Sequence, residues 1–494
     1  GELAEAGIDF IKDDELQGDG PGCPFDERVA AVMRVVNDAA DKTGRKVMVA
    51  FNITGDLDRM KRRHDRVREL GGTCVMVCVA SVGVAGLVEL RRHSTLPIHA
   101  HRAGWGYLSR SPAVGWDFAA WQKIWRLAGA DHLHVNGLRN KFSEPDDVVM
   151  RDLYVHDCAA HGILGADEDS GSLTLEYSEV TRAGNGSSQH GIYMTTDQNA
   201  HPGSVFRMRH CWVHDMNGGN AVKSRAERNE IHFNWLEGTL YHLLELIGPD
   251  EGAVTPPPGI REDSDVVGNV LVHKAYDPPG APPPIDGNFY FVRVGSDMRC
   301  DDGGTNSTRG RYRFVGNTFV RRDGGSGSHV FRPFGYLQSI EMSNNVFWSV
   351  PAGALTMVRS DAGERCWTDG EQIAGQMNWV ETGTTALPAG WTGTVTGASP
   401  LFVDAANYDL RPTAGSPLLE QGTPTSTAPP GFPFPNPLAL PTHEPPQRSV
   451  LPGSPAPARI VRGVIDIGAY EFPGSIFVDG WEGQSSSRWS AVAP

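Results

Sequence analysis

No stretch of this 494-residue sequence reaches the run of about 20 apolar residues that a membrane-spanning helix needs. Positive charge is in deficit: 44 Lys and Arg stand against 59 Asp and Glu, for a net charge of −15. That balance argues against nucleic acid or an anionic membrane surface as partner. Cysteine is scarce and odd in number, seven in all, with no metal-ligand spacing. Cys74 and Cys78 flank apolar Val75-Met76-Val77 and read as reduced, buried thiols, whereas Cys300 and Cys366 could pair if the later half is exported. The sequence opens Gly1-Glu2-Leu3-Ala4-Glu5 without an initial Met, so no leader peptide is expected within it and the first element is expected to begin upstream. Proline is sparse over residues 1–140 and dense at 256–284 and 416–457. Length and this shift in composition imply more than one domain.

Residues 1–146 alternate strand and helix. Apolar runs at 8–11, 47–51, 73–80, 96–101 and 131–135 predict strands, and 26–43, 57–70, 85–93 and 117–128 predict helices. Such βαβ units make a parallel sheet with right-handed crossovers, barrel or open, and chemistry sits at the strand C-terminal ends in both. Polar clusters occur at those ends: Lys12-Asp13-Asp14-Glu15, Asn52, His99-Ala100-His101-Arg102 and His134-Val135-Asn136. Alternation along a strand puts Lys12 and Asp14 on one face of theirs, and His99 and His101 on one face of theirs.

The runs Gly7-Ile8-Asp9-Phe10-Ile11-Lys12-Asp13-Asp14-Glu15, Ile98-His99-Ala100-His101-Arg102-Ala103 and Asp131-His132-Leu133-His134 resemble, in order and spacing, the RuBisCO large chain and the RuBisCO-like proteins. Trp125-Arg126-Leu127-Ala128-Gly129-Ala130 fits as well, and Val135-Asn136-Gly137-Leu138-Arg139-Asn140-Lys141-Phe142 is closer to the RuBisCO-like form. Within that form the resemblance is to the group that decarboxylates a phosphorylated 3-oxo sugar acid, 3-oxo-isoapionate 4-phosphate.

The resemblance implies part of a TIM-type α/β barrel in which CO2 converts Lys12 to a carbamate. Carbamate, Asp14 and Glu15 would then hold Mg2+, a hard ion that favours oxygen ligands. Catalytic roles fall to Lys12, His101 and Lys141, the last on a mobile loop. Substrate or phosphate contacts fall to Arg102, His134 and His99; Asn52 joins that set by its strand-end position alone, where a capping or turn role competes. Asp13 is expected to point away. Gly104-Trp105-Gly106 replaces a further family histidine, which puts carboxylase chemistry in doubt. The family also has lysines on an earlier strand, later strands with phosphate loops, and an N-terminal domain that completes a homodimer site. None of these is found in this sequence, so the piece is expected to be marginally stable and inactive alone.

From residue 148 helical periodicity stops and short strands recur. One theme is Met150-Arg151-Asp152-Leu153-Tyr154-Val155-His156-Asp157, repeated at Met208–Asp215, Val267–Val272, Val315–Val320 and Ser343–Trp348. A second is His161-Gly162-Ile163-Leu164, with His190-Gly191-Ile192-Tyr193 and Gly219-Asn220-Ala221-Val222. Spacings of roughly 28 to 58 residues suit solenoid coils with insertions or unrecognised copies, each coil adding strands to long parallel sheets with asparagines laddering at the turns. Residues 148–415 resemble right-handed parallel β-helix proteins of the pectate-lyase type. That likeness implies an alternative carbohydrate site around Lys223 and Arg225, with His190, Asp197, His214 and Asp215 nearby; turn and ladder roles are the competing reading.

Residues 416–463 read as a proline-rich extended linker. Asp466-Ile467-Gly468-Ala469-Tyr470-Glu471-Phe472 resembles a closing motif of secreted β-helix proteins, followed by a secretion-type tail to 494. Family likeness thus implies a cytoplasmic compartment for 1–147 and an extracellular one for 148–494. Three functions follow as expectations: a Mg2+-dependent RuBisCO-like enzyme acting on a phosphorylated sugar acid; an exported β-helix that binds or cleaves a polysaccharide; and a chimera with no unitary function.

Overall fold

The computed structural model describes residue 4 and residues 8–106, 118–134, 147–165, 170–248, 262–274, 290–297, 310–322, 329–351, 353, 355–359, 361, 363, 367, 369–426, 428–434, 439–451 and 453–472. The chain divides into two compact units, Gly1–Pro145 and Asp146–Pro494.

In the first unit the order is β1 (Phe10–Lys12), α1 (Phe25–Thr43), β2 (Met48–Asn52), α2 (Leu57–Glu69), β3 (Cys74–Cys78), α3 (Val79–His93), β4 (Ile98–His101), α4 (Phe118–Leu127) and β5 (His132–Leu133). The strands form one parallel sheet in sequential order, β1 to β5, with β1 and β5 at its edges among the described residues. Helix α3 begins six residues before the expected start, because a kink at Gly83 (φ 69°) joins a first turn to the rest.

Alternate strand residues separate cleanly. Ile11, Val49, Phe51, Val75, Val77, Ile98, Ala100 and Leu133 pack with the helices in one large core. Phe10, Met48, Ala50, Cys74 and Met76 line the opposite face. An unreversed strand order with helices packed on one face is the barrel arrangement; a doubly wound sheet carries helices on both. Trp105, which stands where the family motif has a further histidine, is a core anchor packed 5.0 Å from the Trp121 ring.

In the second unit successive strands fall in turn on three parallel sheets, two nine-stranded and one seven-stranded. The corner between the first and second sheets repeats one device: a residue with positive φ, then an inward side chain. Asp152, Tyr177, His210, Phe233, Gly268, Gly316, Asn344 and Met377 supply the first position. The next residue is Asn at 234, 269, 317, 345 and 378, all fully buried. Each Asn Oδ1 from 269 onward accepts the backbone N–H and the Nδ2–H of the previous rung, at 2.8–3.0 Å. The predicted asparagine ladder is therefore present. Rungs at Tyr177, Phe233 and Met377 carry no Gly-Asn or Asn-Asn signature; the first two hide within the longest apparent spacings and the third follows the last recognised copy.

Among its described residues the proline-rich segment has no helix or named strand, and it is docked on the coils instead of standing free as a linker. Asn344 Nδ2 donates to Thr423 O (2.8 Å), Arg313 stacks on Phe434 (4.3 Å), Arg448 pairs with buried Glu237 (2.9 Å), and Gly453 N–H donates to Asp152 Oδ1 (3.2 Å). The contacts move from late coils to the first as the sequence advances, so the segment runs back along the sheets. Proline suits it because it needs no ladder hydrogen bonds. Ile465, Ile467, Ala469 and Tyr470 then return to the buried interior, and Arg459 pairs with Glu471 at 2.8 Å. Residues 473–494, Cys300 and Cys366 lie outside the described residues, and no described helix is long and apolar enough to cross a membrane.

Candidate active site

The C-terminal ends of β1 to β5 bring Lys12, Asn52, Cys78, His101 and His134 to one rim, all on the face opposite the helices. Lys12 Nζ lies 2.8 Å from Glu15 Oε2 and donates to Asp13 O at 3.0 Å. Hydrogen bonding from Lys12 holds the Glu15 carboxyl down at about 2, so it is ionised across the working pH range. His101 Nε2 is 3.6 Å from the same Glu15 oxygen. Ala103 N–H donates to His101 Nδ1 at 3.1 Å, which assigns the ring proton to Nε2, toward Glu15. Burial, with His134 beside it, lowers His101 to about 4; the two rings are 4.2 Å apart. Burial and then the Arg102 charge also lower His134. At neutral pH both imidazoles are therefore uncharged.

The acidic triplet splits by role. Asp13 turns away, as expected, and its Oδ2 accepts from Arg28 Nε (3.1 Å) and Asn52 N–H (3.2 Å). Asp14 is exposed; its Oδ1 takes the Leu16 N–H at 2.7 Å, and no hydrogen bond among the described residues uses its Oδ2. Only Glu15 faces Lys12. The residue types suit a hard cation: a carbamate on Lys12 would replace a cation by an anion beside Glu15, and two anions that close favour a cation between them. Asp14 offers its second oxygen. The donor types of a Lys12 carbamate and Glu15 suit Mg2+, while no hydrogen bond or ion pair among the described residues brings the Asp14 carboxylate to either.

Two expected substrate contacts are otherwise engaged. Asn52 Nδ2 donates to the carbonyls of Asp14, Glu15 and Gln17 at 3.0–3.2 Å, while Oδ1 accepts from Thr54 N–H and Oγ1. Its side chain is spent clamping the loop that carries Asp14 and Glu15, a turn role. His99 lies deeper, against Phe10 at 5.3 Å, and both ring nitrogens are buried without a hydrogen-bond partner. Desolvation drives it down to about 3. It packs beneath His101 and His134 instead of reaching the rim. Lys141 lies outside the described residues. Cys78 was read only as a core thiol; it is buried and free, yet its Sγ is 3.5 Å from Glu15 O. Its place at a strand end was the signal for rim membership.

In the second unit Tyr193, Lys223, Glu245, Arg293 and Arg332 share one register row on successive coils of the seven-stranded sheet. Lys223 Nζ lies 3.1 Å from Asp297, Arg225 also pairs with Asp297, and Arg293 bridges Glu245 (2.8 Å) and Asp297 (3.0 Å). His190 reaches the same groove, of about 510 Å³, but its Nδ1 accepts Asn220 N–H at 3.0 Å as a ladder rung. Asp197 caps a local turn through Asn199 and Ala200, and His214 bonds Glu179 and Asp215 on another sheet. The structure thus gathers Lys223, Arg225 and His190 and leaves Asp197, His214 and Asp215 elsewhere.

Comparison with known proteins covers the first part of the chain. Residues 1–180 match the model of the ribulose bisphosphate carboxylase large chain, catalytic domain. The match runs beyond the first unit, into strands whose pairing belongs to the second. A 3-oxo-isoapionate-4-phosphate transcarboxylase/hydrolase of Xanthobacter autotrophicus is 70% identical over 149 residues, 30% of this chain and 36% of that protein. A 3-oxo-isoapionate-4-phosphate decarboxylase of Rhizobium rhizogenes is 49% identical over 148 residues, 30% and 35% of the two chains. A crystal structure of a rubisco-like protein from Burkholderia fungorum is 36% identical, covering 35% of this chain and 42% of that one, with a TM-score of 0.26. The chain spans about a third of the length of the curated relatives it matches. Over roughly its first 180 residues, this protein is similar to the RuBisCO large-chain catalytic domain and to RuBisCO-like proteins.

Proposed function

We propose that the first unit carries the carbamate half of a RuBisCO-like site that enolises or decarboxylates a phosphorylated keto sugar acid of the 3-oxo-isoapionate 4-phosphate kind. The observation that supports it is the meeting of Lys12, Glu15 and His101 at one strand-end rim, within a segment 70% identical to a relative named for that substrate. Lys12 as carbamate, Glu15 and Asp14 are the residues that would hold Mg2+. When bound there, Mg2+ supplies Lewis-acid polarisation of a substrate carbonyl oxygen. His101, neutral and carrying its proton on Nε2, is placed to donate to an oxygen that gains charge. Its lowered basicity keeps the ring neutral, so it serves as a hydrogen-bond donor to that oxygen and not as a base. Arg102 is the charge suited to phosphate or carboxylate. Asn52 acts by positioning the Asp14–Glu15 loop. The described sheet ends at two free edges, β1 and β5, which fits low activity unless further strands complete the wall.

The test is CO2 release from 3-oxo-isoapionate 4-phosphate by the full chain with Mg2+ and bicarbonate. Release that requires all three and is lost in Lys12→Met supports the reading; release unaffected by Lys12→Met contradicts it.

The three parallel sheets favour a second reading for residues 146–472, that of a β-helix whose groove beside Lys223 and Arg225 takes an acidic carbohydrate. Four cations (Lys223, Arg225, Arg293, Arg332) against two carboxylates (Glu245, Asp297) leave a groove suited to a uronate. Binding serves this reading better than lyase chemistry, since Lys223 Nζ is already engaged with Asp297 at 3.1 Å. Polygalacturonate titration checks it: binding lost in Arg293→Gln agrees, and equal binding by that variant does not.

A further inference from the structure

On the outer, helical layer of the first unit, away from the strand-end rim, α2 and α3 bring His64, Asp65 and His93 together. His64 Nδ1 lies 3.1 Å and His93 Nε2 3.0 Å from the same Asp65 oxygen, Oδ1, and all three ligand atoms fall within 4.8 Å of one another. A tetrahedral zinc ion with ligands at 2.0–2.1 Å has its ligand atoms about 3.3 Å apart. The two short edges therefore nearly match a zinc-centred triangle. His64 has a fully buried side chain, whereas Asp65 and His93 keep 34% and 31% exposure, so a fourth position is open to water. Arg68 Nη2, 3.4 Å from the same Asp65 oxygen, is the cation present now, and its side chain is half-exposed and free to swing out.

We propose that His64, Asp65 and His93 form a binding site for a divalent transition ion, Zn2+ by chemistry, which clamps α2 to α3. Two imidazoles and one carboxylate favour a borderline ion over Mg2+, which prefers an all-oxygen set. The site is thereby chemically distinct from the Lys12 rim on the same unit. The clamp reinforces the Lys61–Glu89 pair (2.6 Å), which joins the same two helices. The ordinary alternative is a hydrogen-bonded His–Asp–His staple that needs no ion.

The similar cluster His214, Asp215 and Glu237 does not compete as a proposal. Lys274 lies 3.0 Å from Asp215 and 3.3 Å from Glu237, and Arg448 pairs with Glu237 as well, so its anions are already neutralised.

The test uses the full chain stripped with chelator, titrated with Co2+ and then displaced with Zn2+ under excess Mg2+. One equivalent of tetrahedral Co2+ absorption is expected, displaced by Zn2+ and not by Mg2+. Affinity should fall about 10- to 100-fold or more in His93→Gln and in Asp65→Asn, and stay unchanged in Glu15→Gln. Both surface variants keep buried His64 and should melt like the parent in chelator, while Zn2+ raises the melting temperature of the parent alone. No tetrahedral band, a band that survives His93→Gln, or one lost only in Glu15→Gln would overturn the site.

Discussion

The two units treat polar side chains in opposite ways. In the second, the corner asparagines are paired along the solenoid: Asn269, Asn317 and Asn345 each accept from one neighbouring rung and donate to another, and the groove cations close on Glu245 and Asp297. In the first, polar groups gather at one rim and remain partly unmatched. Glu15 answers Lys12 and stands 3.6 Å from His101, and Asp14 is exposed with one oxygen unused among the described residues. Paired ladders hold a scaffold together; unmatched charge held in place by neighbours such as Asn52 marks where a ligand completes the chemistry.

That contrast can be broken by stability measurements. Asn317→Ala strips the acceptor from the buried Asn269 N–H and removes one hydrogen bond each from Val266 O and from Asn269 Nδ2, which keeps Ile231 O at 2.7 Å. The orphaned N–H costs about 1–3 kcal/mol, so denaturant unfolding of the second unit should lose about 2 kcal/mol or more. A loss below about 1 kcal/mol would mean the ladder is not structural.

Gly316→Ala comes next. Its φ is 61°, and an added Cβ would stand 2.6 Å from Pro441 of the docked strap. About 1–2 kcal/mol is expected, with faster proteolysis near 441. Unchanged proteolysis would detach the strap from the account.

His99→Leu, by contrast, should be neutral or stabilise the first unit by up to about 1 kcal/mol, because it removes two unpartnered buried nitrogens. The pH dependence follows from His99 and His101, whose folded values of about 3 and 4 lie below the unfolded 6.5. Their contribution is present above 6.5 and is lost as pH falls from there toward 4 and 3. Melting temperature against pH should slope more gently in His99→Leu; an identical slope would remove His99 from the cause.

Glu15→Gln carries the smallest expected cost, under about 1 kcal/mol, since the Lys12–Glu15 pair is about a third exposed. A large loss would make Glu15 a scaffold residue, contrary to the contrast drawn above.

Much of this was legible in sequence because it rests on periodicity. Strand alternation put Lys12, His101 and His134 at like ends of their strands, and Gly268-Asn269, Gly316-Asn317 and Asn344-Asn345 marked three corners outright. Tyr177-Ser178, Phe233-Asn234 and Met377-Asn378 were opaque because a residue other than Gly or Asn holds positive φ there, which composition does not advertise. The roles of Asn52 and His99 were equally hidden. Strand-end position cannot say whether an amide is consumed by three loop carbonyls, or whether an imidazole sits a layer too deep. Proline content signalled extension in 416–457 without revealing docking, because the partners lie as many as 301 residues away.

The most direct test of the central claim is to expose the full chain to isotopically labelled bicarbonate and Mg2+ and look for a carbamate carbonyl by NMR. The account predicts one Mg2+-stabilised signal, absent in Lys12→Met and weakened in Glu15→Gln. Lack of any such signal, or its persistence in Lys12→Met, would contradict it.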